Sequence, residues 1–258
     1  MFKPQLFLFP DAILVGYSLY ALVACFLSMD IKFLGTGGAF DTDYLNSAAV
    51  LNFRGIHLLI DCGFTVFPAL VQKNLVQKVD HIILTHLHND HCGSLPNLLL
   101  YKSIIEKAPK PIIFYASEQF KQQLCLLLEI QLKEPDKYAE FVPLENFEGI
   151  GCIDTYGKHS EGLQTYAYIF EEDEERFVYS GDLAKPEVLF DRLQRMTQKR
   201  TSVFHDITFS PENTGHTYYK KLLPYLNGVD MYGYHCDPTK SPLDNPIRLV
   251  FFQQDMMA

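Results

Sequence analysis

Thr85-His86-Leu87-His88-Asn89-Asp90-His91-Cys92-Gly93 is the stretch that decides how this chain is read. Three of the nine histidines and one aspartate fall between positions 86 and 91. The preceding His81–Thr85, HIILT, is apolar and β-branched and predicts a buried strand. The following Leu95–Lys107 has helical periodicity. His86 and His88, two apart in extended chain, point to one side. The turn brings Asp90 and His91 to a second position. Imidazole and carboxylate are the usual ligands of zinc and similar ions. Two ligands on each side of a turn predict two ions, each needing further ligands from elsewhere. A lone histidine is more often structural; four such groups at a strand end reverse that reading.

The rest of the composition sets bounds. The chain has 258 residues, is 48% hydrophobic and carries a formal net charge of −9. A core can be buried, and a generally basic nucleic-acid surface is excluded. A small anionic ligand is not, because metal ions would supply the local positive charge. The six cysteines are scattered with no CxxC pair, and they read as reduced, buried thiols of a cytoplasmic protein. Leu6–Leu27 is mostly apolar, interrupted by Pro10, Asp11 and Gly16. Residues 1–28 read either as an extension ahead of a start at Met29 or as a targeting or anchoring segment. In the second case the protein would be exported or touch a membrane.

Further strands are predicted at Ile31–Leu34, Pro111–Tyr115, Thr165–Phe170, Phe177–Tyr179, Ser202–Phe204 and Met231–Tyr234. Ala48–Phe53 and His57–Asp61 predict a hairpin around Arg54-Gly55. Helices are predicted at Phe67–Lys73, at Ser117–Leu128 behind an N-cap serine, at Pro186–Met196 and at Tyr218–Leu226. Glu171–Glu175 reads as a solvated hairpin loop. Gly35-Thr36-Gly37-Gly38 fails as a dinucleotide fingerprint, since Phe40 stands where a third glycine is needed and no helix follows. Strands followed by strand–helix alternation in both halves predict two sheets covered by helices. Residues 29–258 contain no linker that would divide them.

THLHNDHCG resembles the HxHxDH signature of the metallo-β-lactamase fold, and the likeness runs through residues 29–258. FLGTGGAF (Phe33–Phe40) and LLIDCG (Leu58–Gly63) resemble that family's opening strands. KHSEGLQTYAYIFE resembles its third-histidine segment, FVYSGD its bridging-carboxylate segment and YGYHCD its last. The resemblance implies an α/β fold, the αββα four-layer sandwich. It implies two divalent ions, zinc with manganese as the alternative. His86, His88 and His159 would hold one; Asp90, His91 and His235 the other; Asp182 would be shared.

His205-Asp206-Ile207-Thr208-Phe209 and Gly215-His216-Thr217 resemble the HEATF…GHST pattern of the ribonuclease Z and phosphodiesterase branch. In that branch the histidine of GHST protonates the departing oxygen and the acid of HEAT orients it, roles that would fall to His216 and Asp206. Asp90 would position, and deprotonate, the nucleophile. His205, His57 and His81 read as structural. Ribonuclease Z carries a long tRNA-clamping arm and an arginine in its substrate loop. Here only a short hairpin separates His159 from Asp182, and Leu45-Asn46-Ser47 lacks the arginine. The expectation is therefore a phosphodiesterase on small phosphodiesters such as cyclic nucleotides, with no stable nucleic-acid partner. Armless phage enzymes that degrade defence-signalling cyclic nucleotides are similar, and they imply a homodimer. The alternatives are a tRNA 3′-processing endonuclease, a lactone or thioester hydrolase, and a non-catalytic metal-binding protein.

Overall fold

The computed structural model describes residues 30–250. The expectations for residues 1–28, and for Cys25 within them, lie outside the described residues. Among the described residues, twelve strands form two six-stranded sheets. The first contains β1 (Asp30–Gly35), β2 (Ala48–Phe53), β3 (Ile56–Ile60), β4 (His81–Ile83), β5 (Ile112–Tyr115) and β6 (Glu140–Pro143), in that spatial order. The second runs from β7 (Ile150–Asp154) through β8 (Tyr166–Glu172), β9 (Glu175–Tyr179), β10 (Arg200–Asp206) and β11 (Asp230–Tyr234) to β12 (Arg248–Leu249). Each sheet begins as an antiparallel meander and continues parallel. The change falls at β3 in the first sheet and at β9 in the second. The predicted hairpin is present: Arg54 and Gly55 both take positive φ, 48° and 81°, as a two-residue turn between twisted strands requires.

Alternation along the strands builds the layers. In β8, Tyr166, Tyr168 and Phe170 face the core shared with the first sheet, while Ala167 and Ile169 face outward. This is the period of two expected of a strand buried on both faces. Phe33 of the first sheet meets Phe204 and Tyr234 of the second at ring centroid distances of 5.4 and 5.7 Å. On the outer side of the second sheet, helix Glu187–Leu193 contributes Leu189 and Phe190. On the first sheet, helices Leu95–Ile104 and Glu118–Leu132 bury Leu95, Leu98, Leu99, Phe120, Leu124 and Leu128. The result is the expected α/β arrangement of helix, sheet, sheet and helix. The Ser117 side chain caps its helix by accepting from the Phe120 N–H, as the sequence predicts.

Several boundaries differ from expectation. Tyr219–Tyr225 is a 3₁₀ helix containing Pro224, not an α-helix, because proline removes a donor. The acidic run is mostly strand: only Asp173 and Glu174 turn, while Glu171 pairs with buried Arg176 at 2.7 Å. The helix predicted to reach Lys107 ends at Ile104. Strands β6, β7 and β12 are additions. Of the described cysteines, Cys62 and Cys92 are buried, but Cys152 is exposed.

Candidate metal centre

The parallel strands of both sheets end at one rim of the sandwich, where ligands of open α/β sheets commonly gather. Asp61 follows β3, the 84–91 turn follows β4, Asp182 follows β9, Asp206 ends β10 and His235 follows β11. His159 lies on the connection between β7 and β8. The two sheets are fastened here. Tyr166 N–H donates to the Thr85 carbonyl at 2.9 Å and Tyr168 O–H to the Leu84 carbonyl at 2.8 Å. His91 and Cys92 sit on a single helical turn, Asn89–Cys92. His235 holds a positive φ of 63°.

The seven residues expected to hold metal come together in two groups. His86, His88 and His159 form one; Asp90, His91, Asp182 and His235 form the other, with ligand atoms within 4.8 Å of one another in each. In the first, His88 Nδ1 is 3.1 Å from His86 Nε2 and 3.2 Å from His159 Nε2. In the second, His91 Nε2 is 3.3 Å from Asp90 Oδ2 and 3.4 Å from Asp182 Oδ1, and His235 Nε2 is 3.4 Å from Asp90 Oδ2. Asp182 joins the groups, with Oδ2 at 3.6 Å from His159 Nε2 and 3.5 Å from His235 Nε2. Ligands about 2.0–2.1 Å from a tetrahedral zinc ion lie roughly 3.3 Å apart, so these spacings suit such an ion.

The chemistry of the donor set fits a cation as well. Asp61, Asp90, Asp182 and Asp206 are all buried. Among the described residues their only ion pairs are with histidines. Burying carboxylates without a permanent cation is costly. Two buried atoms facing the centre, His91 Nε2 and Asp182 Oδ1, make no hydrogen bond to protein, as atoms reserved for a metal would. Burial draws the His91 pKa down, but the charges of Asp182 and Asp61 outweigh it and hold it well above the usual value. The same field would welcome a metal ion in place of the proton. Burial and the neighbouring His91 push His86 well below its usual pKa, which leaves it neutral and able to ligate. Against its own burial, Asp182 is held well below the carboxylate range by His235 and His91.

In three of the five imidazoles the nitrogen turned away from the centre is fixed by a partner. His86 Nδ1 meets Thr85 Oγ1 at 3.1 Å, His159 Nδ1 donates to the Gly215 carbonyl at 2.7 Å, and His91 Nδ1 meets Asp61 Oδ2 at 2.8 Å. Such partners set tautomer and ring orientation. Asp61, Thr85 and Gly215 have no role in the expected ligand set. The one signal for Asp61 was an acid directly after a buried apolar run; its positive φ of 64° marks the constraint.

His216 and Asp206 also lie at this rim. His216 Nδ1 is 2.9 Å from Asp206 Oδ2 and 3.8 Å from Asp182 Oδ2. Its Nε2 carries no hydrogen bond to protein among the described residues. Burial lowers the His216 pKa, but the Asp206 hydrogen bond and the charges of Asp182 and Asp206 raise it to about 9. His205 is buried with Nδ1 on the Asp206 carbonyl oxygen at 2.8 Å. Its Nε2 is unpartnered, so the expectation of a satisfied structural histidine holds for one nitrogen only. His81, at 2.7 Å from Asp80, lies away from the group.

Fold and site together define a metal-dependent hydrolase of the metallo-β-lactamase fold. The chain belongs to the Anti-Pycsar protein Apyc1 family, whose model matches residues 29–254. It is 28% identical over 217 residues to an Anti-Pycsar protein Apyc1 from Paenibacillus sp. (strain J14), covering 76% of this chain and 84% of that one. A second such protein, from Bacillus phage 010DV004, is 26% identical over 225 residues, covering 79% and 86%. Among solved structures, the metallo-beta-lactamase fold protein YhfI from Bacillus subtilis superposes with a TM-score of 0.63 at 18% identity, covering 81% of this chain and 87% of that one. Human tRNase Z, short form, superposes at 0.61 and 16%, covering 87% and 96%. Among the described residues, no helix is long and apolar enough to cross a membrane.

Proposed function

We propose that this protein is a two-metal phosphodiesterase acting on small phosphodiesters, cyclic nucleotides first among them. The observation that carries this reading is the Asp206–His216 pair, 2.9 Å apart, set beside the histidine–aspartate cluster. Hydrolysis of a phosphodiester needs a proton for the departing alkoxide. Thioester hydrolysis expels a thiolate that needs no such proton, and the resemblance of the His216 segment to the phosphodiesterase branch weighs against a lactone substrate. The family relationship and the branch resemblance support the same substrate class.

His86, His88 and His159 would hold one divalent ion, and Asp90, His91 and His235 the other, with Asp182 between them. When bound, such a pair supplies an activated water and neutralises charge on the phosphoryl oxygens. Asp90 orients the attacking water and takes its proton. Asp206 accepts the Nδ1–H of His216 and so turns Nε2 toward the ester. His216 gives its proton to the departing oxygen as the phosphorus–oxygen bond breaks. Water and diester become a phosphomonoester and an alcohol. Residues Asp61, Thr85 and Gly215 keep the ligand rings oriented.

The test is turnover by the full chain, loaded with zinc or manganese, on bis(p-nitrophenyl) phosphate and on a panel of 3′,5′-cyclic nucleotides, with and without chelator. Chelator-sensitive hydrolysis is expected. No hydrolysis by metal-replete protein overturns the reading, and cleavage of precursor tRNA in its place would favour the endonuclease.

A further inference from the structure

The cluster opens into a cleft of about 900 Å³, lined by His216 and His235 and by the loop from Gly38 to Tyr44. That loop is braced. Thr36 N–H donates to the Tyr44 carbonyl at 2.9 Å and Gly37 N–H to the Leu45 carbonyl at 2.8 Å. Asp41 Oδ1 accepts from the Asp43 and Tyr44 N–H groups at 3.0 and 2.9 Å. At its tip the loop carries Phe40, whose side chain is 98% exposed. Loop tips are normally small or polar, and a braced loop that holds a whole phenyl ring in water gives up the burial that ring would otherwise gain. Phe209 lines the same cleft.

Three carboxylates line it too, but they are not equivalent. Asp41 is bound to its own loop, and Asp237 accepts from the Thr239 N–H at 2.9 Å and pairs at 3.3 Å with Lys240, which also lines the cleft and offsets its charge. Asp43 is exposed, and its carboxylate has no hydrogen bond or ion pair among the described residues. An acidic wall repels phosphate, so the reacting phosphoryl group belongs at the metal-binding end and an uncharged, donor-bearing group at the other.

Resting on the phosphodiesterase reading, we infer that Phe40 and Asp43 form the subsite for the nitrogen heterocycle of a mononucleotide. The ring stacks on Phe40, and a ring N–H or amino group donates to Asp43. A protein partner seated on Phe40 would expose the same ring without any base selectivity, and the test separates the two.

The experiment compares kcat/KM for a base-bearing 3′,5′-cyclic nucleotide with that for the base-free methyl riboside 3′,5′-cyclic phosphate. It uses the full metal-loaded chain and the variants Phe40→Ala, Phe40→Tyr and Asp43→Ala. The selectivity ratio should fall about tenfold in F40A and in D43A, within the range of one base–aromatic stack or one charged hydrogen bond. The loss should fall on KM, and F40Y should restore the ratio. As a readout without turnover, a phosphorothioate cyclic nucleotide carrying 2-aminopurine should lose fluorescence on binding to the wild-type chain and keep it with F40A. Turnover of both substrates with a ratio near one in wild type, or a ratio within twofold of wild type in F40A, overturns this inference and leaves the phosphodiesterase reading standing. A change of oligomeric state in F40A with the ratio unmoved overturns it in favour of a protein contact. No turnover of either diester by wild type removes both readings.

Discussion

Asp61 Oδ2 lies 2.8 Å from His91 Nδ1, and the opposite nitrogen of that imidazole faces Asp182 Oδ1 at 3.4 Å. One ring is thus held between two buried carboxylates that leave different strands in different sheets. Asp61 also accepts the Thr85 N–H at 2.7 Å and the Thr85 hydroxyl at 2.9 Å. It therefore fixes both the entry to the 84–91 turn and the ring that turn presents. Burial raises the Asp61 pKa, while His91 and Thr85 pull it back toward the ionised form.

The first expectation concerns that link. Asp61→Asn puts an amide where His91 needs an acceptor and should weaken metal binding by about 10- to 100-fold. Competition with a chromogenic chelator measures it. Affinity equal to wild type would mean that Asp61 only shapes the turn.

Removing His216 should separate chemistry from metal binding. His216→Ala is expected to keep its metal by elemental analysis and to lose turnover by roughly 100-fold or more. Asp206→Asn should move turnover in the same direction. The double variant should be no worse than H216A alone, because the two residues act as one unit. Unchanged turnover in H216A would remove it from the mechanism.

Metal removal should cost stability. Among the described residues the four buried carboxylates have ion pairs with histidines alone, so chelation leaves charge uncompensated in the interior. Binding at a thousandfold above Kd contributes about 4 kcal/mol, and the melting temperature should fall by several degrees with chelator and recover with zinc. A melting temperature indifferent to both would argue against bound metal. Asp182→Ala should lose metal and activity together; full occupancy in that variant would contradict the shared position.

Two glycines near each other in sequence should respond very differently to alanine. A Cβ on Gly63 would overlap the backbone carbonyl of Asp90, which cannot step aside without moving the ligand turn. Gly63→Ala should cost more than about 3 kcal/mol. At Gly55, with φ of +81°, a Cβ meets nothing within 4 Å, so the cost is that of the left-handed backbone alone, about 1 kcal/mol. Denaturant melts of the two variants check the contrast; equal losses would contradict it.

The amino-acid sequence by itself determined which residues are chemically unusual. The segments carrying His159, Asp182, Asp206, His216 and His235 are legible through their resemblance to the family's motifs, while the histidine cluster at 86–91 is a local pattern of few residues and is legible without a fold. The same holds for the Arg54-Gly55 turn and the alternating strand β8, where period and turn chemistry act over a few positions. Only the tertiary structure decided which of these residues meet. His235 and Asp90 are 145 positions apart, yet their side chains come to 3.4 Å, because parallel strands of two sheets end at one rim. It also decided the roles of residues with no local signature. Asp61 is one acid among thirty-one acidic residues until β3 is paired beside β4 and its carboxylate faces His91. Phe40 reads as an ordinary apolar residue until its loop closes on Asp41 and leaves the ring in water. Periodicity and motif are properties of neighbours in the chain, whereas orientation and exposure come from contacts that the chain makes only after its sheets have packed.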